Sequence, residues 1–161
     1  MPLLCNLRHL EEKNLHLRGE LSVDDLGVHG LDEMIDSSGP LTYDLEVQKL
    51  EQGVLVQGRL ALTLDCDCVR CLKAYRQDLQ LDHWACHLAL AGEEKAAVVN
   101  DCVDLTPYIR EDIVLAFPQH PLCKPDCGGL ASIQRKPEKS PGAAKSDSTA
   151  STWAALDKLK L

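Results

Sequence analysis

Val54-Leu55-Val56-Gln57-Gly58-Arg59-Leu60-Ala61-Leu62-Thr63-Leu64-Asp65-Cys66-Asp67-Cys68-Val69-Arg70-Cys71 is the most regular stretch of the chain. Val54, Val56, Leu60, Leu62 and Leu64 fall on one parity, and Gln57, Arg59, Ala61, Thr63 and Asp65 on the other. Successive side chains of an extended backbone point to opposite faces, so this alternation predicts a half-buried β-strand. Cys66 and Cys68 keep the parity of Leu62 and Leu64 and point inward if the strand persists. Cys71 is reached only after the chain turns.

The neighbouring segments extend this strand into a sheet. Leu41, Tyr43, Leu45 and Val47 alternate with polar residues before the Glu51-Gln52-Gly53 turn, which predicts an antiparallel hairpin. A second long strand from Tyr75 to Leu90 makes Cys68 to Cys71 the tip of another hairpin. Its apolar phase slips from odd (Leu79, Leu81) to even (Trp84, Cys86, Leu88, Leu90), predicting a bulge near Asp82-His83. Towards the N-terminus, Leu15 to Leu21 alternates as a strand, and residues 1–12 read as a short strand or an extended arm. Ser22 is placed to cap a single helical turn at Val23-Asp24-Asp25-Leu26. Asp36-Ser37-Ser38-Gly39-Pro40 reads as a breaker.

Beyond Ala91-Gly92-Glu93-Glu94-Lys95, Val98-Val99 and Cys102-Val103 suggest short edge pieces. Asp104-Leu105-Thr106-Pro107 announces a helix with a capping side chain at Asp104 or Thr106 and proline in its first turn; Pro118 stops it. Ile109, Ile113 and Phe117 recur at i, i+4 and i+8, giving this helix one apolar face to lay on the sheet. Its exit is His120-Pro121-Leu122-Cys123, which leads into Cys123-Lys124-Pro125-Asp126-Cys127.

These segments predict an α+β fold, a mostly antiparallel, curved sheet with one main helix packed on it. At 161 residues the chain suits one domain and a tail. Residues 1–130 are expected to form the domain, 131–151, rich in Lys, Pro, Ser, Gly and Ala, a disordered linker, and 152–161 a short C-terminal helix gripping through Trp153, Leu156 and Leu159. The net charge of −8 is uneven: residues 1–130 carry 11 Lys/Arg against 22 Asp/Glu, and residues 131–161 carry six against three. So acidic a body argues against broad clamping of a phosphate backbone, which needs clustered cations, and aromatics at 4% supply no stacking platform for bases. Met1-Pro2-Leu3-Leu4-Cys5-Asn6 has no secretory character and no run is apolar enough to span a bilayer, so a cytoplasmic protein is expected.

In a reducing compartment, the eight cysteines fit metal ligation, redox chemistry or burial better than a disulfide framework. Zinc takes four soft ligands in a tetrahedron, and a spacer of two or three residues lets two sulfurs of one tight turn face the same ion. Cys68, Cys71, Cys123 and Cys127 offer that spacing twice, and Arg70, Lys73 and Lys124 are placed to offset the excess negative charge. The plainer reading makes these cysteines small buried hydrophobes. A thioredoxin-like reading of Cys68 and Cys71 is opposed by the flanking Asp65 and Asp67 and by the lack of a βαβ pattern. His120 or Cys66 could replace one of the four ligands; Cys5, Cys86 and Cys102 read as filler, and His83 and His87 as solvent-facing. Arg70, Lys73 and Arg76, with Arg59 beside them, could form a small partner-contact patch, although a solvated strand face explains any one of them. No catalytic triad, phosphate loop or pair of catalytic carboxylates is recognisable, so no catalytic residues are assigned and no small-molecule substrate is expected.

Three segments resemble the YceD-like family of small bacterial and plastid proteins. They are the strand ending in Cys68-Val69-Arg70-Cys71-Leu72 with the following Tyr75; Asp104-Leu105-Thr106-Pro107 through Arg110-Glu111, Leu115-Ala116-Phe117-Pro118, Leu122-Cys123 and Asp126-Cys127-Gly128-Gly129-Leu130; and Trp153-Ala154-Ala155-Leu156-Asp157-Lys158-Leu159. The resemblance implies a non-enzymatic role in the synthesis, processing or stability of large-subunit ribosomal RNA, with ribosomal RNA or ribosome-assembly proteins as partners. Two departures stand out. Where many members continue with another Cys-x-x-Cys-Gly, this chain has Ala131-Ser132-Ile133-Gln134-Arg135, and Ala150-Ser151-Thr152 replaces the usual Asp-Pro-Arg. Rival readings are a zinc-stapled interaction module unrelated to ribosomal RNA and a CxxC thiol oxidoreductase.

Overall fold

A computed structural model describes residues 1–37 and 39–130. The expected linker at 131–151 and helix at 152–161 lie outside the described residues. In chain order the elements are β1 (Leu4–Asn6), a 3-10 turn (His9–Glu11), β2 (Leu15–Leu21), α1 (Val23–Leu26), β3 (Ile35–Ser37), β4 (Leu41–Leu50), β5 (Gly53–Asp67), β6 (Ala74–Ala89), β7 (Val98–Val99), β8 (Cys102–Asp104) and α2 (Thr106–Leu115). All strand pairs are antiparallel. β1, β8 and β7 form a small sheet in that order, and β2, β4, β5, β6 and β3 form the large one.

β5 is the axis of the large sheet. Val54, Val56, Leu60, Leu62 and Leu64 are each at most 3% exposed, as the alternation requires. One edge of β5 pairs with β6 along its whole length. The other edge pairs with β4 from Gly53 to Ala61 and with β3 from Leu64 to Cys66. The Asp36-to-Pro40 segment therefore begins inside a strand rather than as a breaker. Because β5 outruns β4, an edge is left open at Leu64 to Cys66, and Ile35–Ser37 satisfies it while burying Ile35.

Gly58 pairs with Trp84 and Leu60 with Leu81, so Arg59 faces both Asp82 and His83. This is the expected bulge, and it turns the inward parity of β6 from odd to even. A Cβ on Gly58, whose φ is +154°, would lie 2.1 Å from the Asp44 carbonyl oxygen, so only glycine lets β4 approach here. Ser22 caps α1, its Oγ accepting from the Asp25 N–H at 3.1 Å.

α2 buries Ile109 and Ile113 completely, and Trp84 Nε1 donates to Asp112 Oδ2 at 2.6 Å, tying β6 to the helix. No side-chain cap closes α2 at its N-cap residue, Leu105, although Asp104 Oδ1 accepts from the Thr106 N–H at 2.9 Å. The helix ends at Leu115, so Phe117 packs on the core from just beyond it. One cluster of buried residues runs from Leu3 and Cys5 through the strands to Leu105 and Ile113, so both sheets share a core.

Candidate metal centre

The inward parity of β5 carries Cys66 into the core at 2% exposure and Cys68, one step past the strand, to complete burial. The chain then reverses sharply. Cys68 N–H donates to the Lys73 carbonyl at 3.0 Å and Leu72 N–H to the Cys68 carbonyl at 2.8 Å. Leu72 adopts φ +56°, a left-handed conformation unusual for a leucine, and closes the turn that returns Cys71 towards Cys68.

The second pair comes from the loop after α2. Val69 N–H donates to the Pro121 carbonyl at 3.0 Å, fastening this loop to the hairpin tip. Cys127 N–H donates to the Lys124 carbonyl at 3.1 Å, and Arg70 Nη1 donates to the Cys127 carbonyl at 3.1 Å. A Cβ on Gly129, at φ +72°, would stand 3.4 Å from the Arg70 carbonyl, so the two turns lie against each other.

These contacts bring the sulfurs of Cys68, Cys71, Cys123 and Cys127 within 4.8 Å of one another. Cys68 Sγ is 3.7 Å from Cys127 Sγ, and Cys71 Sγ is 3.7 Å from Cys123 Sγ. A disulfide needs about 2.05 Å, far shorter than either separation. A regular tetrahedron of four thiolates with metal–sulfur bonds of about 2.3 Å has an edge of about 3.8 Å, close to these two separations. Such a shell could hold a metal ion such as zinc, and with all four positions taken by protein it suits a structural role better than a catalytic one.

The protons on the cluster are unevenly held. Backbone N–H groups directed at Cys68, that of Cys123 foremost, bring its thiol down to about 6. Burial and then the neighbouring sulfurs push Cys123 up to about 12. Four thiolates repel one another, and a dication at their centre is what lets all four ionise together.

Of the other candidate ligands, His120 is exposed and outside the cluster, while Cys66 sits against Tyr75, its thiol held up chiefly by burial. Cys5, pushed up to about 11 by burial, belongs to the core. Of the expected contact residues, Arg70 spans the two turns and Lys73 is exposed at the hairpin tip, whereas Arg76 is engaged by Asp65 at 2.9 Å on the outer face of the sheet. Lys124 is exposed in the second turn. The Val69–Pro121 and Arg70–Cys127 bridges carry no sequence signature, because each joins a donor to a main-chain carbonyl over fifty residues away. Among the described residues, no helix is long and apolar enough to cross a membrane.

The family described as "Large ribosomal RNA subunit accumulation protein YceD" matches residues 56–160. Uncharacterized proteins of Mycobacterium tuberculosis and Mycobacterium bovis are 30% identical over 130 residues, covering 76% of this chain and 63% of theirs. An uncharacterized protein of Mycobacterium leprae is 27% identical over 107 residues, covering 62% of this chain and 49% of its own length. The chain thus spans less than two thirds of these relatives. No solved structure matches. With the match running from near the start of β5 through both cysteine turns, this chain belongs to the YceD family of large ribosomal RNA subunit accumulation proteins.

Proposed function

We propose that the chain is a non-enzymatic factor in the synthesis, processing or stability of large-subunit ribosomal RNA, and that Cys68, Cys71, Cys123 and Cys127 hold a structural zinc that staples its working surface. The family match over residues 56–160 is the observation that carries this reading. On it, residues 1–130 form the folded body; the match continues beyond it to residue 160.

The zinc part rests on sulfur separations close to the edge of a tetrahedral shell. The charge of the body favours contact with ribosomal RNA through a small site or through an assembly protein. Arg70 and Lys73 at the knuckle and Arg76 on the adjoining strand are the candidates for that contact. A thiol oxidoreductase is disfavoured because Cys68, the thiol most easily ionised, is fully buried and out of reach of a disulfide substrate.

Depletion of the protein in its own host, with mature large- and small-subunit RNA quantified, tests the proposal. A fall in the large-subunit RNA relative to the small, rescued by the wild-type chain and not by Cys68→Ser/Cys71→Ser, is expected. An unchanged ratio on depletion would sink it.

A further inference from the structure

β5 is satisfied on both edges: Val54 lies between Lys49 and Leu88, and Leu64 between Ser37 and Gln77. β6 is not. Among the described residues, only β5 hydrogen-bonds to its main chain from Ala74 to His83. In a strand paired on one side, every second residue directs its N–H and C=O outward, leaving a ready template for another strand.

Long edges are commonly protected by proline, an inward charge, a bulge or a covering element. From Ala74 to Leu81 the edge has no proline and no inward charge, and its bulge comes only at Asp82-His83. Tyr75, Leu79 and Leu81 remain half-exposed, although their partners on β5, Cys66, Leu62 and Leu60, are buried.

We propose that a second copy of this chain covers the edge, β6 pairing antiparallel with its counterpart about a two-fold axis beside Leu79. Opposed residues of antiparallel strands share a face, so self-complementarity selects the register. With the axis at Leu79, that residue meets itself and Gln77 meets Leu81. On the outer face Arg76 meets Asp82 and Asp78 meets Gln80, each twice by symmetry.

Moving the axis by one residue sets Asp78 against itself or against Asp82. An axis at Gln77 also opposes Arg76 to Asp78, but the overlap runs off the start of β6 at Ala74. Within each copy Arg76 is held by Asp65 and Asp82 by Arg59, both at 2.9 Å, so the pairing joins existing ion pairs into one ladder across the seam.

Sedimentation of the full chain over a concentration series tests the proposal, with the charge variants Arg76→Asp and Asp82→Arg. Each alone places like charges opposite each other twice and weakens self-association about tenfold. An equimolar mixture of the two restores it as a heterodimer, because one chain then presents carboxylates at both positions and the other cations. Both residues are exposed, and circular dichroism checks that each variant keeps its fold. Wild type that stays monomeric up to about 200 µM overturns the proposal. So does self-association indifferent to both substitutions, or a mixture that binds no more tightly than its components.

Discussion

If the four sulfurs close on a zinc ion, removing it releases a long loop. The ion would join two turns whose cysteines are 52 to 59 residues apart in sequence. Cross-linking a loop of that length withdraws roughly 4 kcal/mol of chain entropy from the unfolded state. Unfolded cysteines retain some affinity for zinc, so this figure is a ceiling. For a domain of this size it corresponds to a melting temperature lower by roughly 12 °C. The assay is a calorimetric melt of the purified protein before and after exhaustive chelation, with zinc per chain measured on the same samples. About one zinc per chain is expected in the wild type and near none in Cys68→Ser/Cys71→Ser. A chelated protein that melts within about 2 °C of the untreated one refutes the reasoning, since it shows the turns are held without a bridge. Wild type that purifies without zinc and takes none up on reconstitution refutes it equally.

Gly58→Ala puts a methyl group 2.1 Å from the Asp44 carbonyl and imposes a side chain at φ +154°, so urea unfolding should show a loss of about 3 kcal/mol, while Gly39→Ala, with open space around it, stays near wild type. Trp84→Phe removes the indole donor to Asp112 and leaves that half-buried carboxylate without its partner, costing about 1–2 kcal/mol in the same assay. The hydrogen bond from Arg18 holds the Asp44 carboxyl below its ordinary range, with its charge, His16 and Arg59 assisting. Its contribution to stability is therefore complete above the ordinary carboxylate value and lost as pH falls through the depressed one; Arg18→Gln should move the start of acid unfolding to higher pH, read by far-ultraviolet dichroism.

Much of the large sheet is legible in the chain because its signals are local. The alternation in β5 follows from the geometry of an extended backbone, and the phase slip at Asp82-His83 marks the bulge because a single extra residue exchanges the two faces of a strand. The Ser22 cap has the same character, since donor and acceptor lie three residues apart. β3 escapes such reading. Asp36 and Ser37 are turn formers by composition, and only the unpaired edge of β5 draws them into a strand.

The cysteine cluster divides along the same line. The spacing of Cys68 with Cys71 and of Cys123 with Cys127 sets what each turn can present, for two or three intervening residues are enough to aim two sulfurs one way. Which sulfurs meet is a tertiary matter. The 3.7 Å approaches join Cys68 to Cys127 and Cys71 to Cys123, across the turns, and they depend on the Val69–Pro121 and Arg70–Cys127 bridges. The exclusion of His120 and Cys66 was equally undecided by spacing, because it follows from where α2 releases the chain and from the core position of Cys66. The sequence alone marked the alternating strands, their faces and the four candidate ligands, though not β3, since backbone periodicity acts within a few residues. Only the folded chain decided how those ligands are arranged, because bringing together groups more than fifty residues apart depends on the free energy of the whole core.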